Sequence, residues 1–142
     1  MIYFDAAYVA KFYLAEPESE RVRLAAETEG SVACSVLGRV ETCAVFHRKL
    51  REKAYGTKAF HSIMAQFDAD LEASLWTWLP FSEGVIDVVS KRYQRLPATV
   101  FLRSADALHL ATAAENGFRE IFSNDRHLLA AASHFGLRAR SL

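Results

Sequence analysis

At 142 residues, with 17 Lys and Arg against 17 Asp and Glu, the chain suits one domain (residues 1–142) with a real core and no net charge. A composition 51% hydrophobic and 24% charged is that of a globular protein, and zero net charge gives bulk electrostatics no preference for a polyanionic partner. No apolar run approaches the roughly 20 residues a membrane span requires, and two cysteines, Cys34 and Cys43, exclude a disulfide framework or zinc-type spacing.

Ile2–Phe4 reads as a short apolar strand closed by Asp5, with helical character from Ala6 to Ala15 until Glu16-Pro17 breaks it. Neither a basic region nor a long apolar stretch opens the chain, so no signal peptide is expected and the protein is expected in the cytoplasm. A more polar helix follows over Ser19 to Glu29, stopped by Gly30, and Ser31–Ser35 is the second strand. Val36 to Lys53 is a helix whose buried side is expected to carry Val40, Ala44, Val45 and Leu50. Thr57 to Ser74 is amphipathic through Phe60, Ile63, Met64, Phe67 and Leu71, more apolar residues than one helix of a small domain needs.

Leu75–Leu79 is the third strand, with Trp76 and Trp78 expected in the core or at a dimer contact, and Pro80 ends it. Ser82 is placed to cap a helix reaching Arg95, and Leu96–Thr99 forms a loop. Ser104 is expected to cap the next helix, which presents Ala107, Leu108, Leu110, Ala111 and Ala114 as a flat stripe for packing on a sheet and stops at Asn116-Gly117. Glu120–Ser123 is a buried strand, His127 to Phe135 a helix, Gly136 its stop and Leu137 to Ser141 a final strand. Strands alternating with helices predict βαβ units and a mostly parallel sheet covered on both faces.

In such a sheet, sites form beyond the carboxyl ends of the strands. Four acids reach that edge by independent routes: Asp5 ends the first strand, Glu41 lies in the helix after the second, Asp106 is in the first turn of its helix, and Asp125 follows the fourth strand. One acid at a helix start complements the helix dipole. Four together repel one another and persist where a cation compensates. Hard oxygen donors without Cys or His at zinc spacing point to Mg²⁺ or Mn²⁺ and to hydrolysis of a phosphodiester.

The order and spacing of these acids, with Ser35 six residues before Glu41, the segment Arg103 to Ala113 around Asp106, and Ser123-Asn124-Asp125 ahead of a leucine-bearing helix, resemble a PIN-domain ribonuclease of the VapC-like toxin type. The resemblance spans nearly the whole chain. It implies a three-layer α/β/α fold on a parallel five-stranded sheet, and a Mg²⁺-dependent endoribonuclease whose catalytic and metal-holding residues are Asp5, Glu41, Asp106 and Asp125. It also implies a homodimer inhibited by a small antitoxin that occupies the active-site groove. The chain departs from the family where a hydroxyl residue often follows the first acid: Ala6 and Ala7 stand there, so Asp5 is expected to be held by main-chain N–H groups of the helix it precedes.

Other residues have a place in this reading, each with an ordinary structural alternative. Ser123 and Asn124 are candidate supporting ligands, though Asn before a helix is also common turn chemistry. Lys11 is a candidate for phosphate, or a solvated lysine. Arg103 and Arg126 flank two of the acids and suit either the RNA backbone or pairing with those acids, and His109 shares the helix face of Asp106. A phosphatase with a nucleophilic aspartate would need a second acid where Ala7 stands, and a receiver domain would need paired acids before its acceptor. The remaining competitor is a PIN-like chain, catalytically impaired, that serves only as a binding or regulatory partner.

Overall fold

The computed structural model describes all 142 residues. Five short parallel strands form the middle layer: β1 (Ile2–Tyr3), β2 (Val32–Ser35), β3 (Trp76–Leu79), β4 (Glu120–Phe122) and β5 (Arg138–Arg140). Seven helices connect or flank them: α1 (Ala6–Tyr13), α2 (Ser19–Glu29), α3 (Leu37–Arg51), α4 (Thr57–Glu72), α5 (Glu83–Arg95), α6 (Ser104–Glu115) and α7 (Arg126–Ala131), which runs on as a 3-10 turn over Ala132–Phe135. No helix is long and apolar enough to cross a membrane.

The expected five-stranded sheet is present as two ladders, one in the order β1-β2-β3 and one pairing β4 with β5. They meet at a single parallel bridge between Phe4 and Phe122, continued by the Asp5 N–H donating to the Phe122 carbonyl at 3.1 Å. The ladder thins there because β1 is only two residues long and Asp5 already turns the chain into α1.

Side chains of a strand alternate between faces, and this divides the core in two. Tyr3 and Ala33 point to one side, where α6, α7 and the 3-10 turn supply Ala107, Leu110, Ala111, Leu128 and Phe135. Phe4, Val32 and Cys34 point to the other, against Tyr8 and Val9 of α1, Val22 of α2, Phe46 of α3 and Phe67 of α4. Phe60, Ile63, Met64 and Leu71 of α4 are partly buried against that second core. Trp76 belongs to the core, Trp78 is half-buried beside it, and Cys34 and Cys43 are unpaired. Helices on both faces make the three-layer arrangement, stabilised chiefly by removing these side chains from water.

Two local expectations are corrected. The buried residues of α3 are Gly38, Thr42 and Phe46, spaced four apart, while Val40 is 69% exposed and Ala44 also faces solvent. Gly38 sets that face: a Cβ there would overlap the Cys34 sulfur, so only glycine lets α3 approach β2 this closely. Ser104 is not a cap, because it is already the first helical residue of α6, and Arg103 holds the N-cap position without a side-chain cap bond. Other helix ends follow their sequence signals. Ser82 accepts from the Val85 N–H at 3.2 Å to start α5, and Gly30 and Gly136 end their helices at φ 68° and 75°.

Candidate active site

Asp5 reaches the carboxyl edge as N-cap of α1, where one carboxylate oxygen accepts the Tyr8 N–H at 3.0 Å. Asp125 does the same for α7, accepting from His127 at 2.8 Å and Leu128 at 3.1 Å. Asp106 stands in the first turn of α6, and Glu41 one turn into α3. The structure brings these residues into one open cleft of about 360 Å³, shared with Arg48, Arg103, His109 and Asn124.

Each carboxylate is held by a different device. Asp5 is buried, and its second oxygen accepts the hydroxyl of Ser123, which is fully buried and in turn accepts the Asp125 N–H at 2.9 Å. Burial raises the Asp5 carboxyl above its ordinary pKa, against the opposing pull of the Ser123 hydrogen bond, His109 and the Tyr8 N–H. Asp125 is also partly desolvated, but the Leu128 and His127 N–H groups and Arg103 outweigh that and lower its pKa. Arg103 spans Asp106 and Asp125: its Nε donates to Asp106 at 2.8 Å and its Nη2 pairs with Asp125, interactions that raise the guanidinium pKa. Glu41 meets the Nε2 of His109 at 2.7 Å.

The main-chain support expected for Asp5 is therefore present at Tyr8, and Ser123 supplies a hydroxyl where Ala6 and Ala7 cannot. Ser123 is a brace between two acids and Asn124 is exposed in the cleft, whereas Arg126 is exposed beside His127 and does not line the cleft. Lys11 is also removed from the site. It is neither in the cleft nor solvated but buried against Glu16 and Glu18, because helix α1 turns its side chain toward the Glu16–Glu18 segment.

Tyr3 and Arg48 escaped the sequence reading. The Tyr3 hydroxyl accepts the Ser35 N–H at 3.0 Å and meets His109 Nδ1 at 3.0 Å, linking two strands to α6 beneath the cleft. A tyrosine inside an otherwise apolar buried strand signals a hydroxyl that needs a partner. Arg48 carries no local signal in the sequence, since its place depends on how α3 leans over the site.

The donor set suits a hard divalent cation in kind and place: carboxylates from four elements, with one serine and one asparagine beside them. Their spacing is wider than a closed metal site, since no three His, Cys, Asp or Glu side chains gather closely enough to hold an ion. Arg103 takes the cationic position between Asp106 and Asp125.

The model of the PIN domain family matches residues 2–133. The chain belongs to the PIN-domain family. Solved structures share its fold across nearly their whole length. VapBC2 from Rickettsia felis, bound to a DNA fragment from its promoter, is 14% identical at a TM-score of 0.71, covering 99% of this chain and 98% of that one. FitAcB from Neisseria gonorrhoeae is 18% identical at 0.71, covering 98% and 96%. The sarcin–ricin-loop-cleaving toxin VapC20 from Mycobacterium tuberculosis is 18% identical at 0.63, covering 92% and 95%. At these identities the likeness is one of fold. Comparison with curated protein sequences gives no match.

Proposed function

We propose that this PIN domain is a metal-dependent endoribonuclease, the toxin of a toxin–antitoxin pair. The observation that carries the reading is the convergence of Asp5, Glu41, Asp106 and Asp125, from four separate elements, on one cleft at the carboxyl edge of a parallel sheet. These acids would hold Mg²⁺ or Mn²⁺, which when bound neutralises phosphate charge and lowers the pKa of an attacking water. Arg48 and Arg103 stand beside them to grip the RNA backbone, and the Asp5–Ser123–Asp125 hydrogen bonds keep two acids from swinging apart. The similar VapC20 is described as cleaving the sarcin–ricin loop, which makes a structured RNA loop the first substrate class to try.

The partner in this reading is a small antitoxin whose cationic side chain enters the cleft, where it would meet the same carboxylates that Arg103 now engages. The toxin is expected to act in the cytoplasm as a homodimer, with the partly buried α4 side chains Phe60, Ile63, Met64 and Leu71 as candidates for a face between chains.

One observation favours the second reading, a PIN-like chain that only binds: Arg103 already lies across Asp106 and Asp125. Incubating the purified chain with a structured RNA loop in Mg²⁺, and in parallel with EDTA, separates the two. The nuclease cuts only with the metal; the binding module retards the RNA on a native gel and leaves it whole in both.

A further inference from the structure

His109 lies beneath the cleft with 2% of its surface exposed and has two hydrogen-bond partners, Tyr3 at Nδ1 and Glu41 at Nε2. Which ring nitrogen carries hydrogen follows from counting donors along this chain. The Ser35 N–H can only donate, so the Tyr3 oxygen accepts at that end. Tyr3 is fully buried, and His109 Nδ1 is the one remaining atom to which its own hydroxyl hydrogen can go. The reverse assignment would leave that hydrogen unpaired inside the core, the costly state for a buried polar group. Nδ1 is therefore the acceptor, and the ring hydrogen sits on Nε2, aimed at Glu41.

The surroundings preserve this arrangement. The Tyr3 and His109 rings meet edge to face with their centroids 6.1 Å apart. The Tyr3 hydroxyl is pushed to a higher pKa by burial, so it keeps the hydrogen that the assignment needs.

We propose that His109 is a positioning residue for Glu41, fixed by Tyr3 in the Nε2–H tautomer so that it anchors one oxygen of that carboxylate and leaves the other for the cleft. The relay Ser35–Tyr3–His109–Glu41 crosses from β2 through β1 and α6 to α3. Glu41 is the acid that most needs such an anchor, since it stands on a helix surface and has no capping N–H groups like those that hold Asp5 and Asp125. The inference deepens the proposed function by assuming that Glu41 serves the metal.

The test has two arms. Long-range proton–nitrogen NMR of the ¹⁵N-labelled, metal-free protein should show His109 protonated at Nε2 and bare at Nδ1, with the pattern becoming mixed in Tyr3→Phe. A hydrogen on Nδ1, alone or with Nε2, overturns the proposal without touching the nuclease reading. In the second arm, Mn²⁺ affinity is followed by electron paramagnetic resonance. His109→Gln, which can still offer an N–H to Glu41, should stay within about threefold of wild type, while His109→Leu should lose about 10–100-fold. Equal affinities in the two variants, or equal losses, would also overturn it. Glu41→Gln is the control: unchanged Mn²⁺ affinity there sinks Glu41 as a ligand, while the tautomer arm still decides the relay. If the His109 variants fail to fold, the wild-type spectrum alone decides.

Discussion

Ser123 and Asp5, 118 positions apart in sequence, share a buried hydrogen bond, and the same serine oxygen accepts the Asp125 N–H. One hydroxyl thus joins the end of the first strand to the turn after the fourth, and couples two of the acids. Ser123→Ala removes both bonds and is expected to weaken Mn²⁺ binding by about 10–100-fold, the usual range for a supporting hydrogen bond. Titration by electron paramagnetic resonance checks this, and an unchanged affinity would mean that the brace is dispensable.

Because Ser123 and the Tyr8 N–H already hold Asp5, the alanines beside it are not a defect. Ala6→Thr or Ala7→Ser should change RNA cleavage at fixed Mg²⁺ by less than about tenfold, below the upper end of the supporting-bond range. Ala6 is buried and Ala7 only half-buried, so Ala7→Ser is the cleaner probe. A much larger gain would reveal an impaired wild-type site and favour the binding-only reading.

Burial holds the Asp5 carboxyl above its ordinary pKa, with Ser123, His109 and Tyr8 only partly offsetting it. A carboxyl whose folded pKa exceeds its unfolded one costs stability once ionised: the cost is absent below the unfolded value, grows through the interval between the two, and is complete above the folded value. Asp5→Asn keeps an oxygen for the Tyr8 N–H and removes the buried charge. Its metal-free Tm at neutral pH should therefore exceed that of wild type, with the gap closing in acid, although cleavage is lost. A lower neutral-pH Tm in calorimetry would contradict this.

Arg103 neutralises Asp106 and Asp125 when no metal is bound, and its own side chain is 54% exposed. Asp106 is buried, so Arg103→Ala leaves its carboxylate without a partner and should lower the metal-free Tm. The shift in Tm on adding Mg²⁺ should become larger, because the ion no longer displaces a guanidinium. A smaller Mg²⁺ shift in a thermal melt would show that Arg103 helps the metal instead of competing with it.

Much of this site was legible because it is carried by local rules. An acid at a strand end or helix start is visible one element at a time, and that sufficed for Asp5, Asp106 and Asp125. The relay from Tyr3 to His109 was not, since its ends are 106 positions apart and no local pattern pairs them. The buried side of α3 was misjudged because hydrophobicity favours Val40 and Ala44, whereas close packing on Cys34 selects Gly38. Lys11 was misplaced for a similar reason: the carboxylates of Glu16 and Glu18 pair with it away from the cleft, and Lys49 shares Glu16.

That cluster carries its own pH signature. Desolvation raises the Glu16 carboxyl, but the Lys49 hydrogen bond and charge, with Lys11, outweigh it and bring the pKa below the ordinary 4.5. A depressed carboxylate contributes stability that is present above 4.5 and lost as pH falls through its folded value. Glu16→Gln should therefore be less stable than wild type at neutral pH and approach it in acid, as followed by urea melts between neutral and acidic pH. RNA cleavage should be unaffected, since Glu16 lies outside the cleft.

In the proposed function, four acids at one sheet edge form a metal-dependent RNA-cleaving site. It is tested most directly by single-turnover cleavage of a structured RNA across a Mg²⁺ titration, with wild type and Asp106→Asn side by side. Asp106 is the suitable acid to change: it is buried at the head of α6, and asparagine there preserves its size. The expected result is a wild-type rate that rises with Mg²⁺ and vanishes in EDTA, and a folded variant that cuts at background rate at every Mg²⁺ concentration. Cleavage by Asp106→Asn at the wild-type rate, or cleavage by wild type that ignores EDTA, would mean that these acids do not form a metal-dependent nuclease site.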